Sequence, residues 1–221
     1  MWGCPDALLL SPPLLLSFGQ MVLRRRVERM RVFLGIELSG ELRERIGSLQ
    51  DELRPRLHAA RWVPAANLHL TLRFVGETSR ERADFLSANL RAPIRREAAF
   101  GLALLGLGCF PRVEKPQVLF IVVAPVEDTL LVLHRSVERV IQSSGFEADA
   151  RRFHPHLTIA RFKQREPALH KTLPGYSEHA WGSMSVSEVI LFESRLSGSG
   201  ARYHVLERFG LGGTNRNQAV Q

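Results

Sequence analysis

Two stretches of this chain set the same strict pattern. "NLHLTLRF" begins at Asn67 and "HPHLTIARF" begins at His154. Each contains His-Leu-Thr followed by an aliphatic residue, inside a run that reads as a β-strand. Side chains alternate across a strand, so residues i and i+2 share a face. His69 and Thr71 therefore share one face, and Leu68, Leu70, Leu72 and Phe74 are expected on the other, in a core. In the second copy His156 and Thr158 share a face, with Leu157 and Ile159 in the core. A chain built this way must bury two strands while leaving an imidazole and a hydroxyl of each on an open face.

The rest of the pattern surrounds those strands with mixed elements. Arg31 to Leu38 reads as a buried strand, and Ser39 as the cap of a helix over Glu41 to Leu53 with Leu42, Ile46, Leu49 and Leu53 inward. The motif strand is expected from Leu68 to Val75, closed by Gly76. Thr78 or Ser79 can cap a second helix reaching about Leu90. "FGLALLGLGCF" and "QVLFIVVAP" predict two strands, and a third helix spans about Glu127 to Ser143. After the second motif strand, His156 to Phe162, come a short helix over Pro167 to Leu173 and a closing hairpin of "MSVSEVILFESRL" and "ARYHVLERFGL" around "SGSG". Strands and helices do not alternate as a doubly wound sheet requires, and no glycine-rich phosphate loop is present. The expectation is an α+β fold with mainly antiparallel sheets, and the repeated strand, helix and motif strand suggest two similar lobes.

Composition narrows the class. With 221 residues, 45% of them hydrophobic and 24% charged, the chain is long enough for a sizeable core and has the make-up of an ordinary folded domain. Its net charge of +8 favours polyanionic partners such as nucleic acid, although the arginine-dominated excess, with only three lysines, also fits a compositional bias. Two widely separated cysteines, Cys4 and Cys109, form no disulfide framework and no metal pattern, which fits a reducing, cytoplasmic compartment. "ALLLSPPLLLSF" is too short to span a bilayer, and its cationic "RRRVER" follows it rather than precedes it. Residues 1–29 are therefore expected to be a non-native or disordered extension, 30–211 a single domain, and 212–221 a disordered tail.

Two imidazoles and two hydroxyls facing one cleft suit phosphoryl chemistry. One neutral imidazole can take a proton from water, one imidazolium can give a proton to a leaving oxygen, and the hydroxyls can donate to phosphate oxygens. A metal reading with His69, His154, His156 and His204 competes, but no carboxylate or cysteine accompanies them at ligand spacing and it gives the paired threonines no role.

At these residues the chain resembles a known family. "HLTL" at His69 to Leu72 and "HLTI" at His156 to Ile159 are similar to the paired HxTx motifs of the two-histidine (2H) phosphoesterases. "MRVFLGIEL", "LHLTLRFVGE" and "HPHLTIAR" resemble the RNA 2′,3′-cyclic phosphodiesterases, also called 2′-5′ RNA ligases, over roughly Met30 to Leu211. The resemblance implies a bilobal α+β fold, two mainly antiparallel sheets with flanking helices around a central cleft. It implies metal-independent hydrolysis of RNA 2′,3′-cyclic phosphate ends to 2′-phosphates, without a cofactor, by a cytoplasmic monomer that acts on RNA or oligonucleotides and not at a membrane. Reverse 2′-5′ ligation would be a side activity. By the same resemblance His69 is the proton donor, His156 the proton acceptor, and Thr71, Thr158 and Arg161 hold phosphate, while Phe33 is a candidate for stacking on a base. Strict alternation would put Arg161 on the face opposite His156, so its role requires the strand to end or bulge near Ala160. The alternatives are a related 2H enzyme acting on another cyclic or 2′-5′ phosphodiester, and an RNA-end binder without turnover.

Overall fold

The computed structural model describes residues 29–125, 128–198 and 200–212; the expected extension and tail, apart from Arg29 and Gly212, lie outside them. The elements run in the order β1 (Arg29–Glu37), α1 (Gly40–Leu53), β2 (Ala60–Trp62), β3 (His69–Ser79), α2 (Arg80–Arg96), β4 (Phe100–Phe110), β5 (Val118–Pro125), α3 (Thr129–Ser143), β6 (His156–Phe162), α4 (Leu169–Thr172), β7 (Ala180–Val186), β8 (Glu188–Ser197) and β9 (Gly200–Gly210). Arg29 pairs with Ser79, and the Gly212 N–H donates to the Glu97 carbonyl, so both are held by the fold.

Local chemistry accounts for most boundaries. The hydroxyl of Ser39 accepts the N–H of Leu42, and that of Ser79 accepts the N–H of Arg82, each at 3.3 Å, satisfying donors that open helices α1 and α2. Of the two expected caps for α2 it is Ser79 that serves, while Thr78 is buried. Helix α2 continues past Leu90 and through Pro93 to Arg96, because Ile94 is fully buried and anchors the last turn. Gly76 does not end β3. It takes a φ of +92° within the strand, a conformation open to glycine, and pairs with Val32. The run "MSVSEVILFESRL" is two strands rather than one: β7 pairs with β4 and β8 pairs with β1, so the chain changes halves at Ser187.

All strand pairs are antiparallel, in the order β7-β4-β5-β6-β3-β1-β8-β9, with β2 added to the edge of β6. The two expected sheets are the two halves of this array. They meet where β3 and β6 pair at one position, Leu70 with Leu157. The helices cross over. Helix α1 follows β1 but packs on the β7 half, where Arg45 donates to the Trp181 carbonyl at 3.2 Å. Helix α3 follows β5 but packs on α2 and β3. Each half thus borrows a helix from the other, and one apolar cluster runs through both, from Leu34, Leu70 and Leu86 to Leu119, Ile121 and Leu157. Burying each such leucine or isoleucine contributes roughly 1.5–3 kcal/mol. The two halves share this core.

Arg73 locks one crossing. It is 8% exposed, and its Nε donates to Glu138 Oε2 on α3 at 2.6 Å, while its other nitrogens reach the Phe74 and Glu147 carbonyls. Burial alone would raise the Glu138 carboxyl, but bonds from Arg73, Gln142 and the Asp149 N–H outweigh it and hold the group below its ordinary value. Glu138→Ala would leave a guanidinium buried without its counter-charge, and is expected to cost about 3 kcal/mol in urea denaturation. Arg73→Met combined with Glu138→Leu should recover much of that loss. A single change that leaves the midpoint unmoved would show that the pair does not hold α3 in place.

Candidate active site

The seam between the halves places the motif residues. Leu70 and Leu157 are buried on the core side at their paired position, so His69, Thr71, His156 and Thr158 stand on the opposite face. In an antiparallel pair, one step from that position sets His69 against Thr158 and Thr71 against His156. Each imidazole thus lies diagonally from the other across the seam. The strands pair no further, and the same edge of β6 is taken up beyond by β2 at Ala160 to Phe162. The parting strands form the cleft.

Both imidazoles are held alike. The His69 Nδ1 lies 2.7 Å from the Asn67 carbonyl, and the His156 Nδ1 lies 2.7 Å from the His154 carbonyl. A carbonyl only accepts, so Nδ1 carries the hydrogen in both rings and Nε2 is the working nitrogen. The Thr71 hydroxyl sits 3.0 Å from His69 Nε2 and donates to it while the ring is neutral.

Arg161 shares this face because β6 bulges. Leu119 pairs with Ala160 and Phe120 with Thr158, which leaves Ile159 as the extra residue. Ile159 and Ala160 are both buried, and the alternation resumes with Arg161 exposed beside the histidines, whose protonation its charge opposes. The displaced Ile159 carbonyl accepts from the Val63 N–H at 2.9 Å and from Nε2 of the buried Gln50 at 2.9 Å. Strand β3 bulges at the corresponding residue. Leu34 pairs with Arg73 and Gly35 with Thr71, so Leu72 is extra. That reverses an expectation: Arg73 turns inward, and Phe74, expected in the core, is 45% exposed on the side of His69.

Aromatic rings wall both histidines. Phe33 and Tyr203 lie 4.8 and 5.0 Å from the His69 ring, and Phe110 and Phe120 lie 5.3 and 5.5 Å from that of His156. Gly108 gives Phe120 its room, since a Cβ there would meet the ring at 2.5 Å. The stacking role expected of Phe33 does not fit. The side chain is 0% exposed, stacked on Phe192 at 5.0 Å and packed against Phe74 and Tyr203, with no surface left for a base. Sequence reasoning missed Tyr203, Phe110, Phe120 and Gln50. Each comes from a distant element and carries no motif of its own.

Burial lowers both imidazoles below the ordinary 6.5, with the charge of Arg161 acting the same way. The carbonyls of Asn67 and His154 oppose the shift. The charge of His156 also disfavours the charged form of His69, against a smaller opposing influence of Glu37, and His154 disfavours the charged form of His156. Among the described residues no three His, Cys, Asp or Glu side chains converge as a set that could hold a metal.

Comparison with known proteins gives the family. Residues 24–196 match the family model of the 2′-5′ RNA ligase superfamily. An Aeropyrum pernix protein named RNA 2′,3′-cyclic phosphodiesterase is 37% identical over 73% of this chain and 92% of its own length. An Aquifex aeolicus protein of the same name is 31% identical over 83% of this chain and 98% of its own. Among solved structures, E. coli LigT in complex with 3′-AMP superposes with a TM-score of 0.70 at 32% identity, covering 83% of this chain and 99% of that one. A Thermus thermophilus protein superposes at 0.73 and 29% identity, with coverage of 83% and 99%. The chain belongs to the 2′-5′ RNA ligase superfamily.

Proposed function

We propose that this cleft hydrolyses the 2′,3′-cyclic phosphate at the end of an RNA to a 2′-phosphate and a free 3′-hydroxyl. The observation that carries the reading is the diagonal pair of Nε2 nitrogens, both fixed by backbone carbonyls, on opposite sides of one seam. The relatives bear the name of that activity, and E. coli LigT has been crystallised with 3′-AMP and with phosphate.

His156 takes a proton from water as its oxygen attacks phosphorus, and His69 gives a proton to the departing 3′-oxygen. One P–O bond forms and one breaks, and the proton balance closes through the two rings. The Asn67 carbonyl favours the charged imidazole of His69, with a smaller contribution from Glu37. When His69 is protonated, Nε2 can no longer accept from Thr71, and that hydroxyl is freed to donate to a phosphate oxygen. Thr158 and Arg161 complete the donors to the non-bridging oxygens. Replacing water by a 5′-hydroxyl would form a 2′-5′ linkage with the same groups, as a side reaction. No step uses a metal ion. The unit that does this is the single domain over 30–211, a monomer working on RNA in the cytoplasm; among the described residues no helix is long and apolar enough to cross a membrane.

A short RNA ending in a 2′,3′-cyclic phosphate, incubated in EDTA, should yield a 2′-phosphate end. His69→Ala and His156→Ala should each lower turnover about a hundredfold or more with the melting temperature kept. Loss of activity in EDTA that zinc restores would replace this mechanism with a metal one. A bound but unaltered RNA would instead favour an end-binding protein, and hydrolysis of other phosphodiesters alone would point to a related 2H activity.

The pH profile separates the free and bound states. Both rings titrate below 6.5 in the free protein, so both limbs of kcat/KM should fall on the acidic side of that value. A bound phosphate anion favours the imidazolium of both. The limbs of kcat should therefore move to higher pH, and limbs that coincide with those of kcat/KM would count against phosphate contact with the histidines.

A further inference from the structure

Arg61 on β2 lies directly opposite Arg161 on β6. Both are exposed, and their neighbours Ala160 and Phe162 are buried on the other face, so the two guanidiniums project on the cleft side. Like charges at facing positions of paired strands repel. Elsewhere many arginines of this chain meet a carboxylate: Arg29 and Arg31 reach Glu77, Arg91 reaches Glu207, Arg151 reaches Asp149, and Arg208 reaches Glu37 and Glu188. Among the described residues no carboxylate lies within ion-pair distance of Arg61 or Arg161. A facing cationic pair without an anion of its own is a site for one supplied from outside.

Position says which anion. β3 and β2 line the same edge of β6, β3 at Leu157 and β2 from Ala160 to Phe162. Moving along β6 from the seam, the open face presents Thr158, then Arg161, and across from it Arg61. Arg61 is one strand removed from the reacting phosphate. We propose that Arg61, with Arg161 between it and the reacting centre, seats the backbone phosphate that precedes the terminal nucleotide, and so makes the site select an RNA chain over a single cyclic nucleotide. The proposal rests on the functional reading above for the place of the terminal phosphate. It makes Arg61 a specificity residue, with Arg161 shared between two phosphates.

Equilibrium binding tests it without requiring turnover. The probes are a fluorescent trinucleotide ending in a 2′-phosphate and the matching nucleoside 2′-phosphate used as competitor. Arg61→Ala should weaken the trinucleotide about tenfold, as loss of a charge-assisted contact does, and the mononucleotide markedly less. The salt dependence of trinucleotide binding should flatten by about 0.7 in log–log slope, as expected for one single-strand phosphate contact. Arg61→Lys should recover part of the affinity and Arg61→Glu should lose more than alanine. The exposed position and the relieved repulsion predict no fall in melting temperature for Arg61→Ala. Equal weakening of both probes, or an unchanged salt slope, would overturn the assignment. Turnover of the cyclic forms of both probes by the unaltered protein runs in parallel: differential binding without hydrolysis would leave Arg61 as a chain-recognition residue and remove the catalytic reading instead.

Discussion

The pairing of Leu70 with Leu157 is the point on which the rest of the molecule turns. It is the one register position at which β3 and β6 are joined, and both side chains are sunk in the common core. Because side chains alternate, burying these two leucines obliges the residues on either side of each to face away from the core. Because the strands are antiparallel, those four residues interleave, each histidine toward the other strand's threonine. The arrangement of the candidate site is therefore a consequence of core packing. A slip of one residue in either strand would carry a histidine and a threonine inward and buried aliphatic residues outward, so the hydrophobic core enforces the register of the motif face.

What was legible in the sequence follows from how local each feature is. The helices and strands announced themselves by period and capping residue, as with Ser39 and the stripe Leu42, Ile46, Leu49 and Leu53. The HxTx faces were legible because two residues of alternation suffice to define them. Phe74 was misplaced because a bulge changes the parity of everything after it, and a bulge is set by the partner strand, here β1 against Leu72. Arg161 depended on the same event in β6, and only the paired register shows that Ile159 is the extra residue. The switch of the chain at Ser187 between halves, and the arrival of Tyr203 and Phe110 beside the two histidines, are long-range pairings that no local pattern encodes.

The two bulges are supported from beneath by corresponding devices. In β6 the displaced Ile159 carbonyl is met by Gln50 of α1, and in β3 the inturned Arg73 is met by Glu138 of α3. Each helix is the one that crosses from the opposite half. The crossing thus does two things at once: it fastens the lobes together, and it brings buried partners to the bulges, Gln50 as a second donor beside the Val63 N–H and Glu138 as the counter-charge of Arg73. A neutral amide suffices where a carbonyl needs a donor. An ionised pair is required where a guanidinium has been turned into the core.

The near symmetry makes its departures informative. Both rings carry the hydrogen on Nδ1 and both are half-enclosed by aromatics, so the framework alone would make the two rings equivalent. Equivalent groups would be poorly suited to opposite roles, since an acid and a base must hold different protonation states at the same moment. The surroundings of the two rings differ. Glu37 acts on His69 alone, though more weakly than burial, Arg161 and His156 act against it, and the Thr71 hydroxyl donates to that ring only when it is neutral. On the other side, the position after the bulge is Arg161 rather than the Phe74 of the first strand, which places the cation at the β6 end of the cleft.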